Sequence, residues 1–559
     1  MKMKTVFYSI ICTLLLAGCH KLDLNPLSDP SSGNFYSNET ELTLAVNNLY
    51  QIDFNGNDKE EYSDNLWNRG NGGNIITLGT LASDNTDVLA YWRNCYRAIA
   101  RANVILESLK KLDQNTASTY IKKIESQARF ARAWQYGKLV THFGDVPFLV
   151  SNISLEQAYS YKRNSKEEII SFVFDELDAA AEYLPISYTT SAEQRWTKGA
   201  ALATKARVAL YTKNFQVARD AAKAVIDQNQ YALHSAFKDL FLTAGKQSRE
   251  IIWSVPRSEA AGVIIASGQV TSFISRNSGG FASVLPTWSL MDAFECVDGL
   301  PIDKSPLYNP RNPFANRDPR LAETVVPFGT NWLGYSYQPH PDSLNVMNYN
   351  TNKIVKNNDT RANAPFASYT GLLWKKGIDA TWPVRKLSDN DQIIIRYAEV
   401  LLTYAEAKVE LGEIDQSVLD AINRVRARAY GKTVSQITEY PAVQTVDKTA
   451  LLSLIKRERR VEFANEGLRY MDLIRWRLAE KALTRPVVGL PDPVNQDRSK
   501  WPFAGAPIID VDGIPDYSAL SAYTKQLAVT SFDKSRQYLW PIPAVELRVN
   551  PTLTQNPNY

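Results

Sequence analysis

Aromatic rings set among amides, guanidiniums and glycines are the residues of this chain best equipped for chemistry, and that chemistry is recognition rather than bond making. Leu66-Trp67-Asn68-Arg69-Gly70-Asn71-Gly72-Gly73-Asn74 joins a flat ring to amide and guanidinium groups on a flexible stretch. A ring can offer its face to the C–H side of a sugar, while amides and guanidiniums supply paired donors and acceptors for hydroxyls. Trp67, Asn68, Arg69 and Asn71 are therefore candidate contacts. A second region, 273–288, holds Phe273, Arg276, Asn277, Phe281 and Trp288; a third, 328–382, holds Trp332, Tyr335, Tyr337, Trp374 and Trp382. Phe273, Phe281, Trp288, Trp332, Tyr335 and Trp374 are the candidates from these two. The run Trp332 to Tyr337 reads as solvent-facing, because its neighbours are polar and no helical period is present. With 12 Trp, 28 Tyr and 20 Phe, most rings must fill cores, and only a surplus in loops is free to bind.

Bond-making chemistry finds little machinery. The four histidines lie far apart, with no HExxH and no Cys/His ligand spacing, so no zinc centre is expected, nor any other metal or cofactor. There is no GxSxG, and Gly431-Lys432-Thr433 has Arg426 where a phosphate loop needs glycine. Asp53-Phe54-Asn55-Gly56-Asn57-Asp58 starts like a calcium loop, but its glycine is misplaced and Asp64 stands where the twelfth-position glutamate belongs. Glycoside cleavage needs only two suitably spaced carboxylates, so a glycan-cleaving enzyme stays open as an alternative. The formal charge of +4 falls to +2 without Lys2 and Lys4, which gives no electrostatic case for nucleic acid.

The elements that must position these groups can be traced along the chain. Lys2 and Lys4, an apolar run from Val6 to Leu16, and Leu16-Ala17-Gly18-Cys19 make a lipoprotein leader over 1–18, with Cys19 as the acylated first residue. Residues 19–38 read as a flexible tether. Helices are expected from Glu39 through Leu49, Ile99 through Leu109, and Ile121 through Trp134, the last stopped by Gly144-Asp145-Val146-Pro147. Ser165-Lys166-Glu167-Glu168 reads as a reciprocal capping box opening another. Leu202–Ile226 and Leu401–Val425 share one form, a helix, a short break and an alanine-rich helix, like loosely matched tetratricopeptide repeats. Residues 251–389 have a different texture, with β-like runs at Ile251–Val255 and Glu323–Val326 amid many loops, and 484–537 is similarly irregular. In 456–477, Arg457, Arg460 and Arg469 alternate with Glu458, Glu462, Glu466 and Asp472 at helical offsets, a self-compensating ion-pair pattern read as structural. Cys95 and Cys296 either pair in an oxidising compartment or stay as two buried thiols.

Several strings together carry a resemblance. They are the lipobox with Leu22-Asp23 and Pro26; Ala128 to Ala133 running to Pro147; Pro286-Thr287 with Phe294 to Gly299; and Asp318-Pro319-Arg320-Leu321. Arg396 to Leu402 with Tyr404 to Ala407, Glu458 to Phe463 with Glu466 to Tyr470, and Trp540-Pro541-Ile542-Pro543 ending in Gln555 to Tyr559 complete the set. The chain resembles the SusD/RagB family of outer-membrane nutrient-binding lipoproteins over essentially its whole length. That resemblance implies a mainly α protein: a right-handed tetratricopeptide-like scaffold carrying an irregular, loop-rich ligand-binding subdomain with few short strands. The expected organisation is 39–250 as an N-terminal helical region, 251–389 as the loop-rich insert, 390–480 as C-terminal helical repeats, and 481–559 as an irregular region packing on the scaffold. The resemblance also implies a lipid-anchored, surface-exposed binding protein of the outer membrane. Such a protein captures oligosaccharides without cleaving them and hands them to a SusC-like TonB-dependent transporter. Oligopeptide capture is the alternative ligand class, for which a deep, amide-rich cleft is expected.

Overall fold

The computed structural model describes residues 38–70, 72–112, 118–188, 194–491 and 497–559. The leader, most of the tether, Cys19 and the candidate Asn71 lie outside the described residues. Helix starts are chosen by short polar side chains. Asn38 opens α1 (Glu39–Asn47), Asn85 opens α2 (Thr86–Leu109) and Ser118 opens α3 (Thr119–Phe143). Ser165 opens α4 (Lys166–Tyr183) and Thr197 opens α5 (Lys198–Tyr211), each accepting from an amide in the first turn. Such a cap is worth about 1 kcal/mol. After α6 (Phe215–Asp227) and the loop-rich segment come α7 (Tyr397–Leu411), α8 (Gln416–Ala429), α9 (Lys448–Glu462) and α10 (Arg469–Arg475).

Each helix packs on its successor from α2 through α6, and α6 then packs on α7, which carries α8 and α9. The two sequence-matched pairs are α5–α6 and α7–α8, and they meet through the fully buried Ala209, Ala218 and Ala407. Small residues at that joint let backbones approach closely, as in stacked helical repeats. The break after α7 falls at Gly412, whose left-handed backbone (φ 77) suits glycine best. One cap differs from expectation. Ser165 accepts from the Glu168 amide, but the Glu168 carboxylate accepts from the Asn164 side chain, so only half of the box forms. A reciprocal box is instead made by Ser154 and Gln157.

Strands are short: β1 (Leu66–Asn68), β2 (Ile251–Val255), β3 (Val284–Pro286), β4 (Asn331–Trp332), β5 (Tyr335–Ser336), β6 (Asn345–Asn348), β7 (Lys353–Lys356) and β8 (Gln392–Arg396). β2 pairs antiparallel with β8, so the two ends of the loop-rich segment are zipped together beside the helices. β1 pairs with β3, and β4 to β7 form an antiparallel meander. Glu323–Val326 is not a strand. Its first half ends the helix Pro319–Thr324, and Val325 makes a single bridge to Trp374.

Two large apolar clusters result. One fills the helical scaffold; the other joins the loop-rich segment to Leu66 and Trp67, to Val461 and Ala464, and to Val488 through Leu520. The C-terminal region therefore divides. Trp501, Phe503 and Tyr517 serve the second cluster, while Phe532, Trp540 and Ile542 serve the scaffold.

Between the clusters lies a charge network, in which the alternating charges of 456–477 pair mostly with residues of other elements. Arg396 meets Glu250 at 2.7 Å, Glu462 at 2.6 Å and Glu466 at 2.8 Å; Arg396, Glu250 and Glu462 are buried and Glu466 is half-buried. Arg320 from the loop-rich segment meets Glu458 at 2.6 Å and Glu462 at 2.8 Å. Asp64 sits between Arg460 at 2.8 Å and Arg469 at 2.9 Å. Burial would raise the Glu462 carboxyl, but Arg428, Arg396 and Arg320 outweigh it and hold that carboxyl well below its usual range. Removing one member of such a buried set costs about 3–5 kcal/mol, because its partner is left charged and dry.

Candidate functional site

The three sequence regions converge, but through different side chains from most of those expected. Trp67, Trp288, Trp332 and Trp374 do not offer rings to solvent. All four are buried in the second apolar cluster, Trp288 and Trp374 completely. The physical reason is area: an indole covers more apolar surface than the loops alone could shelter, so the irregular segment builds its core from these rings. The Trp288 Nε1 donates to the Thr370 carbonyl at 2.8 Å. Tyr337 is buried too, its hydroxyl donating to the Gly371 carbonyl, so the run 332–337 is not the solvent-facing platform its polar neighbours suggested. Tyr335 is half-buried in the meander.

What reaches the surface is a ledge resting on Trp67. The Trp67 ring stacks on the half-buried Tyr369, centroids 6.1 Å apart. Next to it in sequence, Arg69 donates from Nη2 to the Phe281 carbonyl at 3.0 Å and from Nη1 to the Phe366 carbonyl. One guanidinium thus fastens two loops whose phenylalanine side chains are 55% and 62% exposed. The Arg276 Nη1 also donates to the Phe366 carbonyl, at 3.3 Å. Burial first, and the neighbouring charge of Arg276 second, draw the Arg69 guanidinium down from its ordinary value. Asn68 bends the chain, its side chain accepting from the Gly70 amide at 2.9 Å.

The ledge is held by its own hairpin. Phe281, Ala282 and Ser283 donate backbone amides to Thr271, Ile274 and Ser272, which folds 271–283 back on itself. Gly280 is required there: a Cβ would come within 2.3 Å of the Ile274 carbonyl oxygen. Beneath the turn, the buried Asp359 accepts from the Arg276 amide at 2.7 Å and the Asn277 amide at 3.4 Å. Burial pushes its carboxyl up to about 6 despite those amides.

On the other side of the same hairpin opens a cleft of about 470 Å³ between scaffold and loop-rich segment, lined by Phe241, Phe273, Trp382, Gln269, Asp391 and Gln392 among others. Phe273 is the sequence candidate that lines it, and its ring lies edge-on to Trp382, centroids 6.4 Å apart. Many polar groups in the cleft are already committed. Asn57 donates to the Ile394 and Glu466 carbonyls, Asn390 to the Gly377 carbonyl, and Asp391 accepts from the Arg257 amide. Behind β1 a second cavity of about 40 Å³ touches Trp67 and Asn68, room for a water or two but not for a sugar ring.

The site therefore comprises Arg69, Phe281, Phe366, Tyr369 and Arg276, with Phe273 facing the adjoining cleft. Phe366 and Tyr369 were missed by sequence reasoning. Their signal was available, two rings in Asn363-Ala364-Pro365-Phe366-Ala367-Ser368-Tyr369, a polar run without period.

Comparison with known proteins bears on this geometry. A family model described as the SusD family matches residues 249–559, and one described as starch-binding associating with outer membrane matches 25–210. Among characterised relatives, SusD-like protein P25 of Formosa agariphila is 24% identical over 505 residues, 85% of this chain and 90% of its own. A SusD-like carbohydrate binding protein of Bacteroides fragilis superposes with a TM-score of 0.76 at 26% identity, covering 93% of this chain and all of that one. A laminarin binding SusD-like protein superposes with a TM-score of 0.66 at 20% identity, over 94% of this chain, a likeness of fold.

Proposed function

This chain belongs to the SusD family, and we propose that it is a non-catalytic binding protein that captures oligosaccharides on the Arg69–Phe281–Phe366 ledge. The observation carrying this reading is the pair of exposed phenylalanines whose loops are tied together by one guanidinium. Here the exposed rings stand beside spare N–H donors, the combination a sugar's two kinds of surface need. The carbohydrate-binding and laminarin-binding neighbours support the same ligand class. Cys19 would carry the lipid that holds the protein on the outer membrane, in keeping with the membrane association in one family description. A SusC-like transporter would receive the captured chain. The ledge needs only modest affinity, since the transporter retains what it is given.

Oligopeptide capture is a second reading, favoured by the amide side chains of the cleft. Asn57 and Asn390 are tied to backbone carbonyls, however, which leaves Gln269, Gln392 and Asn465 as its uncommitted amides among the described residues. The ledge outweighs it. Affinity electrophoresis of the purified mature protein through gels containing individual polysaccharides tests the proposal. Retardation without release of soluble sugar supports it, and soluble sugar release would instead identify an enzyme. Co-purified peptides with no retardation would transfer the assignment to the cleft.

A further inference from the structure

We propose, building on the glycan-capture reading, that the ledge selects polysaccharides carrying anionic groups, carboxylate or sulfate, with Arg69 and Arg276 as the anion-reading pair. The two guanidiniums come from different segments and converge on one acceptor, the Phe366 carbonyl. Like charges brought that close repel, and the arrangement is stabilised when an anion sits between them. Neither makes a salt bridge to a carboxylate among the described residues; most buried arginines, such as Arg207, Arg320, Arg396 and Arg475, are so paired, while the buried Arg317 spends its donors on three carbonyls.

Asp359, the acidic group beside Arg276, does not fill the role. It is 2% exposed and already accepts from the amides of Arg276 and Asn277. A third cation belongs to the same turn: the Lys386 Nζ rests on the Gly279 carbonyl at 3.1 Å and likewise has no carboxylate partner among the described residues. Each guanidinium carries five N–H donors. Arg69 commits two of its donors and Arg276 one, all to carbonyls that fix the forks in place while most donors stay open. Guanidinium geometry matches both carboxylate and sulfate oxygens bidentately, and the flanking phenylalanines supply the ring faces that distinguish a sugar from a bare anion. The chain as a whole is nearly neutral, so this is a local device rather than a general affinity for polyanions.

The test is affinity electrophoresis and titration calorimetry of the mature protein on five polymers. These are polygalacturonate (carboxylated), carrageenan (sulfated), amylose and laminarin (both neutral), with polyglutamate as the non-sugar anion. The expected result is binding to a carboxylated or a sulfated glycan at least tenfold tighter than to either neutral one, and which of the two binds identifies the anion. Arg276→Gln should lose tenfold or more at unchanged melting temperature, and Arg69→Lys, which keeps charge but loses the fork, should fall between. Equal or tighter binding to neutral glycans, unaffected by Arg276→Gln, overturns the anion inference and leaves glycan capture standing. Polyglutamate binding as well as the glycans, or no glycan binding at all, overturns both.

Discussion

Arg69 concentrates the binding argument in one side chain, because it fixes the loops bearing both exposed rings and stands open to a ligand. Replacing Phe281 and Phe366 together with alanine removes two stacking faces, each worth about 0.5–1.5 kcal/mol beyond its area. Affinity for the cognate glycan should fall by about tenfold or more in calorimetry, with thermal unfolding unchanged. Trp67→Ala should behave in the opposite way. Its ring is buried under Tyr369, so the cost is about 3–5 kcal/mol of stability, read by denaturant unfolding, with any loss of binding secondary. At this scale the sequence candidates met two structural fates. Arg69 and Phe281 stand on the ledge and Phe273 faces the cleft, while four tryptophans chosen for the same aromatic chemistry became core. Nothing local distinguishes the two fates. Whether a ring in a polar loop is buried depends on partners hundreds of residues away, as Trp67 depends on Tyr369.

Helices were far more legible than loops, since their signals are local. The periodic apolar faces, the polar caps and the glycine after α7 all sit within a few residues of the boundaries they set. The buried ion network was legible as composition but not as place, for alternating charges at helical offsets read alike on a wet face and in a dry seam. Glu462 shows the difference. Glu462→Gln should cost about 3–5 kcal/mol in denaturant unfolding, since Arg396, Arg320 and Arg428 would lose a shared counter-charge. The network also sets the response to acid. Glu462 and Asp64 are held below their ordinary values, so their contribution is complete above about pH 5 and is lost as the pH falls further. Asp292 and Asp359, raised to about 6 by burial, act with opposite sign: they cost stability above that pH and are relieved as it falls. Melting temperatures recorded against pH should therefore rise slightly from 7 to about 5 and drop steeply below about 4. Glu462→Gln should flatten the acid limb.

Taken whole, the molecule is a helical frame to which the loop-rich segment is zipped by β2 and β8 and bolted by buried arginines. The ledge thus has a fixed position relative to the frame. If a transporter grips the frame, solubilised membranes should yield the two proteins together, and Cys19→Ala should release this one into the soluble fraction; recovery of the variant in the membrane pellet would argue against the lipid anchor.

Cys95 and Cys296 remain separate thiols, one deep in the frame and the other in a small cluster of its own with Ile302 and Ile509. Cys95 is pushed up to about 11 by burial, well out of the range where thiols react readily. Among the described residues, therefore, no disulfide joins one part of the fold to another. Dithiothreitol should leave the unfolding midpoint where it was, and a reductant-dependent shift would show that the two thiols pair.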